Sequence, residues 1–585
     1  MKKLDVVRNN MSGLGLDAYI VPSEDPHLSE YPPEEWNLRK HISGFTGSAG
    51  TLVVLAEEAG LWTDSRYFLQ APDQLAGSGI ELFKDGLPST PSYAQWIVSK
   101  LGGNSVVGID GSCFSVRSVE NLRETFSENG IRLVTDVRPL WNEGILPHRT
   151  PLYLLPVDFT GLSHETKRLS IFEHTDADGL LLSALDEVAW SLNVRASDTP
   201  YNPVVVAYAL LKRDGAVLFA SPSSLSREMT DELNKQGVEV MPYESVFDYL
   251  HRLPASFRLS IDPEKTNYAL YEAVSCEKLV EASPVAMLKA CKNATELSGF
   301  RLAMRKDGVA LTEAFSEIYE AVEQGRSLTE LDVADILLKH RKGQSDFVCE
   351  SFSTIAGYGA HGAIVHYSAT ESSNIPIGCD SLLLVDSGGN YRHGTTDITR
   401  TFCLGTPTDE QRIDYTSVLK GHIAVATAVF PEGTQGSQLD VLAKSALWRI
   451  GADYGHGTGH GVGHFLCVHE GPQNIRRVGN GVALRPGMVL SDEPGLYREG
   501  RHGIRIENLV AVEEASRSEY GAFFRFETLT LFPYDSSLIK KEMLTDGELT
   551  WLNAYHERVR CELTPLIRSE KSLKWLLKMT ATIVR

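Results

Sequence analysis

In the last third of the chain, short apolar runs repeatedly end on a carboxylate or carry one. Leu382-Leu-Leu-Val leads into Asp386, and Thr395-Thr leads into Asp397 and then Ile-Thr-Arg-Thr-Phe402. Met488-Val-Leu-Ser-Asp leads into Glu493, and Gly503-Ile-Arg-Ile into Glu507. Such runs read as buried strands, so a fold that buries them carries the acids inward. His460 lies between them in a segment of glycines and histidines. Four carboxylates and one imidazole gathered in an interior site cannot stay charged unaided, because desolvation and Coulomb repulsion both oppose it. Cations resolve the conflict. Hard oxygen ligands with a single nitrogen suit a pair of divalent ions such as manganese or cobalt, whereas a lone structural zinc prefers thiolates and histidines.

The first two of these runs are joined by Ser387-Gly-Gly-Asn-Tyr-Arg-His-Gly394, which has the composition of a turn. A hairpin folded about residues 391 and 392 puts Asp386 opposite Asp397. The competing reading is an ion pair between Asp397 and Arg400. Gly455-His456-Gly-Thr-Gly-His460-Gly-Val-Gly-His464 spaces three histidines by four residues, but its glycines disfavour a regular helix. His469 and Glu470 follow. They do not form H-E-x-x-H, because Gln473 stands where the second histidine belongs, and no Gly-Lys-Ser/Thr makes a phosphate loop. In the run through Glu507, strand alternation puts Arg505, Glu507 and Leu509 on one face, and Ile504, Ile506 and Asn508 on the other. Arg505 is then either a surface partner of Glu507 or the group that holds a ligand carboxylate in place.

A chain of 585 residues is too long for one core, and about three domains are expected. The first two look like variants of one α/β unit. Asp17-Ala-Tyr-Ile-Val-Pro-Ser-Glu-Asp25 parallels Asp178-Gly-Leu-Leu-Leu-Ser-Ala-Leu-Asp186, and each is followed by a Trp (Trp36, Trp190) and an Arg (Arg39, Arg195). Apolar runs then recur at Thr51-Leu-Val-Val-Leu and Pro203-Val-Val-Val-Ala, and again near Gly60 and Gly215. Residues 294–340 have helical spacing, and the tail after Leu538 returns to it, with Leu549, Leu552, Tyr555 and Val559 on one face. That face either packs on the preceding domain or meets a second subunit. A net charge of −20 argues against nucleic acid or an anionic membrane as a main partner. Eight scattered cysteines without a C-x-x-C pair fit a reducing compartment. The N-terminus has no apolar signal core, so a cytoplasmic location is expected.

Taken together, these segments resemble the three-domain aminopeptidase P (Xaa-Pro aminopeptidase) family, which has the creatinase or pita-bread fold. The resemblance rests on Ser43-Gly-Phe-Thr-Gly-Ser-Ala-Gly-Thr, Leu61-Trp-Thr-Asp-Ser-Arg-Tyr-Phe-Leu-Gln and Ala184-Leu-Asp-Glu-Val-Ala-Trp. In the last third it rests on Gly362-Ala-Ile-Val-His366-Tyr, Val385-Asp-Ser-Gly, Gly394-Thr-Thr-Asp-Ile-Thr-Arg-Thr, the His456-Gly-Thr-Gly-His run, Asp492-Glu-Pro-Gly and Gly503-Ile-Arg-Ile-Glu-Asn.

The resemblance implies two creatinase-N-like α/β domains, residues 1–152 and 153–291, then an α+β pita-bread metallopeptidase domain, 292–585, with a helical extension from about 535. By motif, Asp386, Asp397, His460, Glu493 and Glu507 are the metal ligands, with Asp397 and Glu507 bridging two divalent ions per subunit. Manganese is the first expectation, with cobalt or zinc as alternatives. His366 matches the histidine that contacts the tetrahedral intermediate, His469 the one at the leaving nitrogen, and His456 one near the proline side. Arg505 and Tyr497 adjoin substrate and ligands. His361 departs from the pattern, since Asn or a small polar residue is expected there.

The implied reaction removes the first residue from a peptide whose second residue is proline. The implied partners are such peptides and a second copy of the chain, docked through the catalytic domain, with no nucleic acid and no membrane. Prolidase, which cuts Xaa-Pro dipeptides, and a non-catalytic pita-bread binding module are the alternatives. The duplicated N-terminal part and the C-terminal extension favour aminopeptidase P.

Overall fold

Asp17 and Asp178 give the repeat in the first half of the chain a physical basis. The Asp17 carboxylate accepts the Val106 N–H at 2.8 Å while its own N–H donates to the Val106 carbonyl at 2.8 Å. Asp178 does the same with Arg258, at 2.9 and 2.8 Å. Each aspartate thereby locks the start of one strand to the start of its parallel neighbour.

The computed structural model describes residues 2–585, which divide into two units, the first ending at Ala286 and the second spanning Met287–Arg585. The first unit holds two six-stranded mixed sheets. One consists of β1 (Ala18–Val21), β2 (Thr51–Leu55), β3 (Ala59–Thr63), β4 (Glu81–Lys84), β5 (Val106–Ile109) and β6 (Arg132–Val134), in the order β4-β3-β2-β1-β5-β6. The other consists of β7 (Gly179–Leu182), β8 (Ala207–Lys212), β9 (Gly215–Ala220), β10 (Val238–Pro242), β11 (Arg258–Ile261) and β12 (Glu277–Val280), in the order β10-β9-β8-β7-β11-β12. Strand order and direction match throughout: β1 and β7 each pair antiparallel with the next strand and parallel with the fifth. The strand expected at 203–207 starts only at Ala207; Val204, Val205 and Val206 are buried but precede it. Within this unit, buried His27 joins the two halves, with Nδ1 2.8 Å from the Ser183 carbonyl and Nε2 2.9 Å from the Tyr243 hydroxyl.

In the second unit the helical stretch is two helices, α1 (Ala294–Glu323) and α2 (Glu330–Lys342). They separate at Gly325, whose φ of +69° suits glycine. Thr329 then caps α2 by accepting the Asp332 N–H at 3.3 Å while the Asp332 carboxylate accepts the Thr329 N–H at 2.8 Å. A three-stranded antiparallel sheet joins Ile355–Tyr358, β13 (Leu382–Ser387) and β14 (Ile398–Cys403). A six-stranded sheet runs in the order Val429–Pro431, Gly521–Thr528, Asn508–Ser518, Val489–Asp492, Gly459–Gly461, Glu470–Ile475. A two-stranded hairpin, β15 (Gly495–Arg498) with β16 (His502–Arg505), adjoins them. Helices α3 (Asp409–Ala426) and α4 (Gly436–Trp448) cover the unit.

Three local expectations change. The hairpin turns at Arg392-His393, so Asp386 pairs with Thr399, not with Asp397. Asp397 stays on the shared face, two residues from Thr399, as a diagonal neighbour. The run through Glu507 is not one strand: it breaks at Ile506-Glu507, where the Glu507 N–H donates to the Thr399 carbonyl at 3.0 Å. His366, in an Ile-Val-His-Tyr run that reads as a strand, lies in a turn.

The tail forms α5 (Asp546–Leu563) and α6 (Glu570–Met579). The predicted apolar face of α5 packs inward: Leu552, Tyr555 and Val559 are buried in one core with Ile504, Ile506 and Tyr534, Leu549 is half-buried against it, and Leu563 extends it. Each such aliphatic side chain contributes roughly 1.5–3 kcal/mol by leaving water. No helix among the described residues is long and apolar enough to cross a membrane.

Gly503 has no room for a side chain, because a Cβ there would overlap the Gly362 carbonyl. Backbone has to move, and overpacking of this kind costs about 3 kcal/mol. Gly503→Ala is expected to lower the urea midpoint by the corresponding amount. A wild-type midpoint would show that the two segments yield.

Candidate metal centre

The strand ends converge. Asp397, His460 and Glu507 each offer a ligand atom, and the three atoms lie within 4.8 Å of one another. His460 Nε2 is 3.4 Å from Asp397 Oδ2 and 3.5 Å from Glu493 Oε1. Its Nδ1 is 2.9 Å from the Gly461 carbonyl, so Nδ1 carries the proton there and Nε2 is turned to the acids. Glycines permit the approach: a Cβ on Gly459 would overlap the Ser491 carbonyl, and one on Gly461 the Glu470 carbonyl.

Behind the acids stands a small set of donors. Arg505 Nη2 and Nε donate to Asp386 Oδ2 at 2.6 and 3.2 Å. Thr399 Oγ1 donates to Glu507 Oε2 at 2.8 Å and accepts from Arg505 Nε at 3.1 Å. Arg505 Nη1 donates to the Tyr497 hydroxyl at 2.8 Å, and that hydroxyl lies 2.8 Å from His456 Nε2. His456 Nδ1 faces the Gly457 carbonyl at 2.8 Å, so the phenol donates to Nε2. His456, Tyr497, Arg505 and Asp386 thus form one hydrogen-bonded row. The His469 ring stands edge-on to His460, with centroids 4.4 Å apart.

Arg400 turns away from Asp397 to the opposite face of β14, where it donates to carbonyls, so an Asp397–Arg400 ion pair is not what holds this acid. His361 is engaged elsewhere. Its Nδ1 is 2.9 Å from the buried Glu330 carboxylate and its ring packs on Tyr367. His366 is half-buried in the turn after Gly359–Ala363.

The electrostatics fit a cation. Burial pushes the Asp386 carboxyl up, against the pull of Arg505, and Asp397 pushes it further. Burial and the neighbouring acids push Glu507 well above the carboxylate range. Glu493 is pushed up to about 7, by burial first, with His460 and Arg505 opposing. For His460, burial opposes the charge, but Asp397 and Glu493 win and raise it to about 9. The other Asp386 oxygen, Oδ1, is buried without a hydrogen-bond partner. Protons crowd this site where cations belong, and the donor set of oxygens with one imidazole nitrogen suits hard divalent ions.

Comparison with known proteins agrees. Residues 298–514 match Metallopeptidase family M24, residues 3–143 and 146–296 match the Creatinase/Prolidase N-terminal domain, and residues 522–583 match the C-terminal region of peptidase_M24. Aminopeptidase P2 of Arabidopsis thaliana is 39% identical over 100% of this chain and 89% of its own length. Xaa-Pro aminopeptidase 1 of Dictyostelium discoideum is 39% identical over 98% of this chain and 95% of its own. The crystal structure of the X-prolyl aminopeptidase from Caenorhabditis elegans, described as a cytosolic enzyme with a di-nuclear active site, covers 100% of both chains with a TM-score of 0.96 and 34% identity. Fold and sequence define a metallopeptidase whose pita-bread domain follows two creatinase-type domains in the chain. The chain belongs to the aminopeptidase P family within metallopeptidase family M24.

Several residues of the site are absent from the sequence reading. Thr399 was within reach of it, since strand parity puts residue 399 on the face of Asp397. Glu470, next to His469, is fully buried between Lys289 Nζ at 2.7 Å and Lys292 Nζ at 2.5 Å. The lysines sit where a domain boundary was expected, and only the fold brings them to Glu470.

In the metal-free protein at neutral pH, His460 holds a proton and Glu493 is about half protonated, and a cation must displace both. Manganese binding is therefore expected to release protons, and its affinity to rise between pH 7 and 9. Calorimetry in buffers of different ionisation enthalpy measures the release. Binding without proton exchange, with an affinity flat over that range, would contradict the assignment.

Proposed function

We propose that this chain is a metallo-aminopeptidase that removes the N-terminal residue from peptides with proline second. It uses two divalent ions, manganese by preference, held by Asp386, Asp397, His460, Glu493 and Glu507. The observation that carries the proposal is that ligand atoms of Asp397, His460 and Glu507 lie within 4.8 Å of one another, with Glu493 3.5 Å from His460 and with Asp386 Oδ1 buried without a hydrogen-bond partner. The C. elegans structure, described as that of a cytosolic enzyme with a di-nuclear active site, supports both the metal number and a cytoplasmic location.

Bound ions supply an acidified water and a Lewis acid for the scissile carbonyl. The remaining work belongs to side chains. Arg505 and Thr399 fix the Asp386 and Glu507 carboxylates, so the ligands are set before substrate arrives. The bond before proline is a tertiary amide with no N–H, so the departing nitrogen must receive a proton. His469, beside His460, is the residue assigned to give it. His366 donates to the oxygen on which negative charge develops. His456, its Nε2 held by Tyr497, borders the proline side. His361, tied to Glu330, shapes the pocket wall from outside it.

By the same resemblance we divide the chain into domains at 1–152, 153–291 and 292–585, and infer a homodimer formed through the last of these.

The test is hydrolysis of a peptide series by manganese-loaded protein. Xaa-Pro-Xaa-Xaa peptides are expected to lose their first residue, and Xaa-Pro dipeptides to be cut poorly. Cleavage of dipeptides alone would make the chain a prolidase. Asp397→Ala is expected to lose bound metal and activity together, with kcat/KM down by a factor of about 1,000 or more, as when a charge-stabilising group is removed from an active site. Retained activity would contradict the bridging role.

A further inference from the structure

Arg400 is 1% exposed and carries a permanent charge. Its Nη1 donates to the carbonyls of Thr399 at 3.0 Å and Glu507 at 2.5 Å. Its Nη2 donates to Asn508 Oδ1 at 2.8 Å, the Phe532 carbonyl at 2.8 Å and the Tyr555 hydroxyl at 3.1 Å, and its Nε donates to the Pro533 carbonyl at 3.1 Å. All six acceptors are uncharged. Three of them belong to the metal-centre segments: Thr399 is Asp386's strand partner on β14, Glu507 lies in the break, and Asn508 directly follows it. The other three belong to the C-terminal region, residues 522–583, which a family of its own describes.

A second set of contacts runs in parallel. The His422 Nδ1 lies 3.0 Å from an Asp492 carboxylate oxygen and 3.1 Å from its carbonyl, next to Glu493. The His422 Nε2 lies 2.8 Å from the Tyr534 hydroxyl, which accepts the Asn508 side-chain N–H at 2.7 Å. The Arg400 guanidinium stacks over the Tyr534 ring at 4.4 Å. Tyr555 is itself pinned, its hydroxyl 3.1 Å from the Thr530 carbonyl and 3.0 Å from that of Phe532. Apolar packing alone does not require a buried guanidinium here, and a buried charge is costly unless its geometry is used.

We propose that the C-terminal region acts as the back plate of the metal centre. Through Arg400 and Tyr555 it sets the positions of the segments bearing Asp397 and Glu507, and through Tyr534 and His422 that of the segment bearing Glu493. Arg400 and Tyr555 are positioning residues, a role that rests on the assignment of those acids as metal ligands. Lysine cannot replace Arg400, because a single ammonium does not span six acceptors on two sides.

The experiment measures cobalt binding to the full-length chain by chelator competition, the visible spectrum of bound cobalt, and urea unfolding of the metal-free protein. Arg400→Lys is expected to weaken cobalt binding by about 10–100-fold, the usual scale for groups that orient ligands, and to alter the spectrum. Tyr555→Phe, which removes one hydroxyl and keeps the packing, is expected to shift both in the same direction by a smaller factor. Leu563→Ala, a core truncation on the same helix outside the polar contacts, is expected to lower the urea midpoint and leave spectrum and affinity unchanged. Wild-type affinity and spectrum in both Arg400→Lys and Tyr555→Phe would overturn the positioning role. If Arg400→Lys does not fold, Tyr555→Phe decides. A wild-type chain that binds no cobalt would instead overturn the metal assignment beneath it.

Discussion

Three buried carboxylates and a half-buried fourth, Glu493, lie within reach of one imidazole and one guanidinium, and the catalytic unit is organised around that imbalance. Arg505 covers one oxygen of Asp386, and His460 faces Asp397 and Glu493. The remaining negative charge has no protein partner of opposite sign large enough to neutralise it. Without cations the acids must take up protons, as their upward shifts state. With two divalent ions the same set becomes a rigid, preorganised centre. A charge conflict of this kind has no use in a purely structural core, where apolar residues would be more stable.

The scaffold keeps the acids in place by approach and by backing. Backbones come close where glycines allow it, at Gly459, Gly461 and the Gly362–Gly503 contact. Hydrogen bonds then fix three of the proposed ligands from behind: Thr399 for Glu507, Arg505 for Asp386, and the Gly461 carbonyl for His460. The Lys289–Glu470–Lys292 cluster anchors the strand that begins beside His469. Farther out, Arg400 links the ligand segments to the C-terminal region. Function is thus spread over residues that never touch a substrate.

Much of this was legible in the sequence, for physical reasons. Apolar runs ending in acids read as buried strands, and the glycines around His460 argued against a helix, in keeping with the short strand Gly459–Gly461. The paired landmarks of the first half correspond to two sheets of identical strand order. What escaped depended on register or on distant contacts. A hairpin centre one residue away moves Asp386 from Asp397 to Thr399, and composition alone does not fix it. The break at Ile506-Glu507 follows from the Glu507 N–H bonding to Thr399, a partner on another strand. Lys292 meets Glu470 across 178 positions, and Arg400 meets Tyr555 across 155. No local pattern encodes such pairs. The inward packing of α5 was readable from its apolar face, but its polar task was not, because a lone Tyr on that face reads as core.

The central claim is that the five converging side chains hold two cations. Anomalous diffraction from crystals of the manganese-loaded protein, recorded on either side of the manganese absorption edge, tests it most directly. Two manganese peaks are expected, both ringed by Asp386, Asp397, His460, Glu493 and Glu507. A single peak, or two peaks elsewhere in the chain, would contradict it.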